Sequence, residues 1–134
     1  MAKILLVDDD QDLSVVFSTA LKKAGFEVVT AATGEDGLSK AKTENPNLIL
    51  FDQILPDIKG NEALKKLKED PQTQSIPVVL LSNFGQNELI QEAMNQGAAE
   101  YILKYQIEPE DLVNKVAVIL KGTQTKTESS QFTP

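Results

Sequence analysis

Lys3-Ile4-Leu5-Leu6-Val7-Asp8-Asp9-Asp10 sets a short, unbroken apolar run directly against three carboxylates. A run of this length without polar alternation is the pattern of a strand buried on both faces of a parallel sheet. A second run, Leu48-Ile49-Leu50-Phe51, ends the same way, in Asp52. Carboxylates that converge at the carboxyl ends of parallel strands make a divalent-metal site, and one of them is a candidate nucleophile.

Outward from these two segments the chain alternates. Apolar runs at Lys3 to Val7, Glu27 to Thr30, Leu48 to Phe51, Pro77 to Leu81 and Glu100 to Leu103 are separated by helical patterns. Glu27 to Thr30 is the least apolar and is expected towards an edge. The first helix is predicted from Gln11 to Ala24, where Leu13, Val16, Phe17, Ala20, Leu21 and Ala24 recur at i, i+3, i+4 spacing, with Gly25 as its stop. The second runs from Gly34 to Thr43 with Thr33 as N-cap. The third starts after Gly60 and is bounded by Asp70-Pro71, and the fourth spans Asn87 to Asn95. The fifth has Glu108 as cap and Pro109 in its first turn, and Gly122 is read as its end. This alternation predicts a three-layer α/β/α domain with right-handed crossovers. Residues 122–134, rich in Thr, Ser and Gln, read as a flexible polar tail or a truncated linker after a domain spanning 1–121.

Composition narrows the chemistry. The 134 residues include no Cys and no His, so thiolate, imidazole and disulfide chemistry are excluded. The formal net charge of -7 and the lack of a basic face argue against direct nucleic-acid binding. No apolar run reaches transmembrane length and no signal peptide is evident, so the expected location is the cytoplasm with no membrane association.

Four strand ends supply candidate site residues: Asp8 and Asp9, Asp52, Ser82, and Lys104. Carboxylates packed together repel one another, and a hard cation relieves this; an all-oxygen donor set suits Mg²⁺ or Mn²⁺ better than Zn²⁺. A carboxylate beside such a metal can attack a phosphoryl group, with Ser82 and Lys104 placed to contact its oxygens. Each residue has a plainer role when taken singly. Asp10 is expected to cap the first helix, and Ser82 and Lys104 alone would be a loop hydroxyl and a surface charge.

Taken in order, four segments carry a family resemblance. They are Lys3 to Asp10, then Asp52-Gln53-Ile54-Leu55-Pro56-Asp57-Ile58-Lys59-Gly60, then Ile76 to Ser82, and Gly97 to Lys104. From Lys3 to about Leu120 the chain resembles the receiver domain of bacterial two-component response regulators. The resemblance implies a flavodoxin-like (βα)5 fold with a parallel sheet in the order 2-1-3-4-5. It assigns Asp52, four residues before Pro56, as the phosphoacceptor, with Asp57 as its rival by proximity. It implies that Asp8, Asp9, Asp52 and the backbone carbonyl of Ile54 hold Mg²⁺. Ser82 and Lys104 match the hydroxyl and lysine that contact the phosphoryl group, and Ser82 with Tyr101 forms the switch that alters the face of the fourth helix, fifth strand and fifth helix.

The implied function is phosphorelay signal transduction. A sensor histidine kinase or phosphotransfer protein would donate a phosphoryl group to Asp52. The receiver would assist its own phosphorylation and dephosphorylation without being a conventional enzyme. The output would pass to a downstream protein or an effector domain, with phosphorylation-dependent homodimerisation through the fourth and fifth helices as a further implied mode.

The chain departs from the family pattern at Tyr105, where proline usually follows the lysine through a cis bond. Either a trans bond with a reshaped loop or a strained cis bond is expected. Asn83 is larger than the usual residue, and Ile54 and Phe84 offer no hydrogen bond to an attacking water, which predicts a long-lived phosphorylated state. Two other readings stand beside this one. A receiver-like interaction module would keep the fold without phosphorylation, and a small aspartate-nucleophile phosphatase would use Asp8 and Asp10 as its Asp-x-Asp pair.

Overall fold

A computed structural model of the chain describes residues 2–83 and 85–132. Five strands alternate with five helices: β1 (Lys3–Val7), α1 (Gln11–Lys23), β2 (Glu27–Ala31), α2 (Gly34–Thr43), β3 (Leu48–Asp52), α3 (Gly60–Glu69), β4 (Val78–Ser82), α4 (Asn87–Asn95), β5 (Glu100–Leu103) and α5 (Pro109–Phe132). All strands pair in parallel, in the order β2-β1-β3-β4-β5. The order is the one the family resemblance implies, the α/β/α architecture is the one the alternation of elements predicts, and β2 lies at an edge as its weaker apolar character predicted.

Strand periodicity divides the core in two. Leu5, Val7, Ile49, Phe51, Val78 and Leu80 pack with Ala41, Ala63, Leu64, Leu67 and Ala93 of α2, α3 and α4. Their strand neighbours Ile4, Leu6, Leu48, Leu50, Val79 and Leu81 pack with Phe17 and Leu21 of α1 and Leu112 and Val116 of α5. Every residue of β3 and β4 is buried, which is why these strands read as unbroken apolar runs.

Local signals place most helix ends. Asp10 accepts from the backbone N–H of Leu13 and Thr33 from that of Asp36, so both N-caps are as predicted. Gly25 takes φ +98°, the left-handed geometry that ends α1. Two details differ from the sequence reading. Val16, placed on the inward stripe of α1, is 46% exposed, and Phe17, Ser18 and Leu21 are the residues that α1 buries fully. Gly122 does not end α5, which runs on to Phe132. Gly122 lacks positive φ, and no proline follows until Pro134, so Gln, Lys and Glu can continue the helix. No helix among the described residues is long and apolar enough to cross a membrane.

Candidate phosphoryl-transfer site

Strand register brings the candidate residues together. Val7 pairs with Phe51, Asp52 with Leu81, and Ser82 with Leu103. The residues at or just beyond these pairs, Asp8, Asp52, Ser82 and Lys104, therefore stand side by side at the carboxyl end of the sheet, where open α/β sheets bind ligands. All four are buried.

Lys104 crosses from β5 to the centre of the cluster. Its Nζ lies 3.1 Å from Asp8 Oδ1 and 3.2 Å from Asp52 Oδ2. One ammonium thus bridges two buried carboxylates that would otherwise repel. Burial, and then the charge of Asp8, push the Asp52 carboxyl up to about 7, with Lys104 pulling partly the other way. Burial alone would lower the Lys104 pKa, but Asp52 and Asp8 outweigh it and raise it.

Asp9 completes the acidic group. Oxygens of Asp8, Asp9 and Asp52 lie within 4.8 Å of one another, with Asp9 exposed and the others buried. This all-oxygen cluster, open on one side, can bind a divalent metal; the donor chemistry fits a hard cation that retains part of its water. Asp9, Asp10, Asp52, Ile54, Asn83, Lys104 and Tyr105 line the cleft above it, of about 350 Å³. Ser82 is fully buried at the end of β4, and its neighbour Asn83 lines the cleft. Tyr101 is half-buried on β5 against the α2–α4 side of the core. Phe84 lies outside the described residues.

The loop carrying Asp52 is tightly closed. Gly60 N–H donates to the Gln53 carbonyl at 2.8 Å, and Ile54 bridges Lys59. A Cβ at Gly60 would fall 2.8 Å from Gln53 Cα, so only glycine admits this approach. Gln53 and Asn61, both buried, exchange two bonds. Gln53 Nε2 donates to Asn61 Oδ1 at 2.9 Å, and the Asn61 amide donates to Gln53 Oε1 at 2.8 Å.

Asp57 stands apart from the cluster. Its carboxylate accepts from the backbone N–H groups of Gly34 and Glu35 at 2.9 and 2.8 Å, at the start of α2. Those two amides hold its pKa below the usual carboxylate range, that of Glu35 most. An exposed carboxylate engaged by a helix N-terminus is a cap, and Asp57 is not among the residues of the acidic cluster.

The Lys104–Tyr105 bond is trans, since no cis peptide occurs among the described residues. Lys104 reaches both carboxylates regardless. Tyr105 turns its hydroxyl to Asp10, donating to Oδ2 at 2.7 Å. Sequence reading missed this bond, the Gln53–Asn61 pair and the Asp57 cap. Only Gln53 left a local trace, as a polar residue at the end of a buried strand.

The response regulator receiver domain model matches residues 4–117. Protein PilH of Pseudomonas aeruginosa is 32% identical over 122 residues, covering 91% of this chain and all of that protein. The alkaline phosphatase synthesis transcriptional regulatory protein PhoP of Bacillus subtilis is 32% identical over 97% of this chain, but the match spans only 53% of PhoP. The CheY-like receiver domain from Methanospirillum hungatei superposes with a TM-score of 0.87 at 32% identity, covering 94% of this chain and 98% of that one. The chemotaxis protein CheY4 of Vibrio cholerae gives 0.82 at 32% identity over 89% and 98%.

Proposed function

The chain belongs to the response regulator receiver domain family, whose work is phosphorelay signal transduction, and from that premise we propose that Asp52 is its phosphoacceptor. The observation that carries this is the buried Asp8–Lys104–Asp52 bridge beneath an open acidic cleft. The donor is a phosphohistidine of a sensor kinase or phosphotransfer protein, so the absence of histidine here is no obstacle.

An Asp52 oxygen attacks phosphorus, the P–O bond of an acyl phosphate forms, and the donor's P–N bond breaks with its electron pair leaving on nitrogen. Asp8, Asp9, Asp52 and the Ile54 carbonyl would hold Mg²⁺, or Mn²⁺ in its place, which when bound would supply neutralising charge for the transferring oxygens. Lys104 lies 3.2 Å from Asp52 and follows the new charge to a phosphoryl oxygen. Ser82 donates its hydroxyl to another, and Tyr101 turns as that loop moves. The change is a shift between populations on the α4–β5–α5 face. Residues 1–121 form the receiver proper, with 122–134 an appended segment. The domain acts in the cytoplasm on a protein target or effector domain, with pairing of two copies as one output.

The test is incubation with acetyl phosphate or phosphoramidate, with Mg²⁺ and then with excess chelator, read by intact mass against Asp52→Asn. A metal-dependent phosphoryl adduct on wild type alone is the expected result. No adduct from small donors or from a histidine-phosphorylated partner would sink the reading in favour of an interaction module.

A further inference from the structure

The cleft over Asp52 has a charged floor and a mixed rim. Buried Asp52 and Lys104 lie at its floor, while Ile54 and Tyr105, 47% and 64% exposed, line it together with exposed Asp9 and Asn83. Large exposed apolar side chains usually need no explanation when scattered. These two flank one small cleft, and one is held in place.

Tyr105 is anchored from two sides. Its hydroxyl donates to Asp10 Oδ2 at 2.7 Å. Asp10 is itself fixed, because its Oδ1 accepts from Leu13 N–H at 3.1 Å and its own amide donates to Asp8 Oδ1 at 3.0 Å. On the other side the Lys104 ammonium lies 5.9 Å from the Tyr105 ring centroid, a cation–π distance. An exposed aromatic ring whose orientation is set in advance loses little freedom on contact with a ligand.

In-line displacement places the leaving group opposite the attacking oxygen. With Asp52 on the floor, the leaving group departs at the rim. We propose that Tyr105 is a specificity-determining residue, whose ring receives the flat imidazole leaving group of a phosphohistidine donor. This rests on Asp52 being the phosphoacceptor. The bond made is Asp52 O–P and the bond broken is P–N. When the second ring nitrogen carries a proton, imidazole departs neutral. A donor with the same P–N bond but no ring, phosphoramidate, loses ammonia and gains nothing from Tyr105.

The experiment compares rates of Asp52 phosphorylation by phosphoimidazole and by phosphoramidate, both with Mg²⁺, in wild type, Tyr105→Ala and Tyr105→Phe. In Tyr105→Ala the ratio of the two rates falls about fivefold, the scale of one aromatic contact, while the phosphoramidate rate stays within about twofold. Tyr105→Phe keeps the ring and lies between the two. Equal changes in both rates, an unchanged ratio, or a ratio in Tyr105→Phe as low as in Tyr105→Ala would each overturn the assignment to the ring. Absence of any Asp52 adduct in wild type with either donor and with a histidine-phosphorylated partner refutes the phosphoacceptor reading itself, whereas normal adduct with an unaltered ratio refutes only the role of Tyr105.

Discussion

Asp52, at the end of β3, and Asp57, in the loop that follows it, behave as different chemical groups. Asp52 is buried, faces another carboxylate, and has its proton affinity pushed up to about 7. Asp57 is exposed, faces two helix amides, and has its affinity pushed down. Their separation of five residues along the chain says nothing of this. What differs is the partner that the fold brings to each: Lys104 with Asp8 across the sheet ends for one, the start of α2 for the other. Reactivity belongs to the place, not to the residue type.

The contrast can be broken most forcefully at Lys104. Lys104→Met leaves Asp8 and Asp52 buried without their shared counter-charge. At pH 8 and without divalent metal the variant should lose about 3 kcal/mol in urea unfolding, with part of the loss restored by millimolar Mg²⁺. Stability equal to wild type would mean that the bridge is idle.

A subtler probe separates the two aspartates by pH. The folded pKa of Asp52 lies above its unfolded value of 3.8. Between about pH 4 and 7 the folded protein therefore binds the extra proton, and this group's contribution to stability falls as pH rises. In metal-free protein, Asp52→Asn should match wild type near pH 4 and exceed it by about 1–3 kcal/mol at pH 8. Melting curves across that range decide it, and a constant difference would refute the buried, raised carboxyl.

Asp57 supplies the smallest effect and the opposite sign. Its lowered pKa adds stability that is present above the unfolded value and lost as pH falls through the folded one. Asp57→Ala should lower the melting temperature by roughly 2–5 °C at pH 7, the scale of a lost exposed cap, and by less below pH 4. Phosphorylation of Asp52 should stay within about twofold of wild type, since Asp57 touches neither the cleft nor Lys104. A larger loss of phosphorylation would rejoin the two residues that the fold separates.

The legible part of this molecule is the part written in neighbouring residues. The runs ending at Val7 and Asp52 announce buried strands because both sheet faces are covered, and Asp10 and Thr33 announce helix starts because caps act over three residues. The acidic cluster was legible for the same reason: strand ends in a parallel sheet converge whatever the sequence between them. Contacts between distant loops left no such trace. Asp57 reaches Gly34 across 23 positions and Tyr105 reaches Asp10 across 95. Gly122 shows the limit of a local signal, since a glycine ends a helix only where the chain turns left-handed, and here it does not.

The side-chain ring between Gln53 and Asn61 has a consequence for motion. It closes eight positions of chain with two hydrogen bonds away from water, and the glycine inside it lets the two backbones approach where a Cβ would stand 2.8 Å from Gln53 Cα. Opening the ring would strand two buried amides, so this segment should open only with the surrounding core, and its amide protons should exchange with solvent on the slow timescale of global unfolding. The wall of the cleft that bears Asp52 is in that sense a fixed anvil.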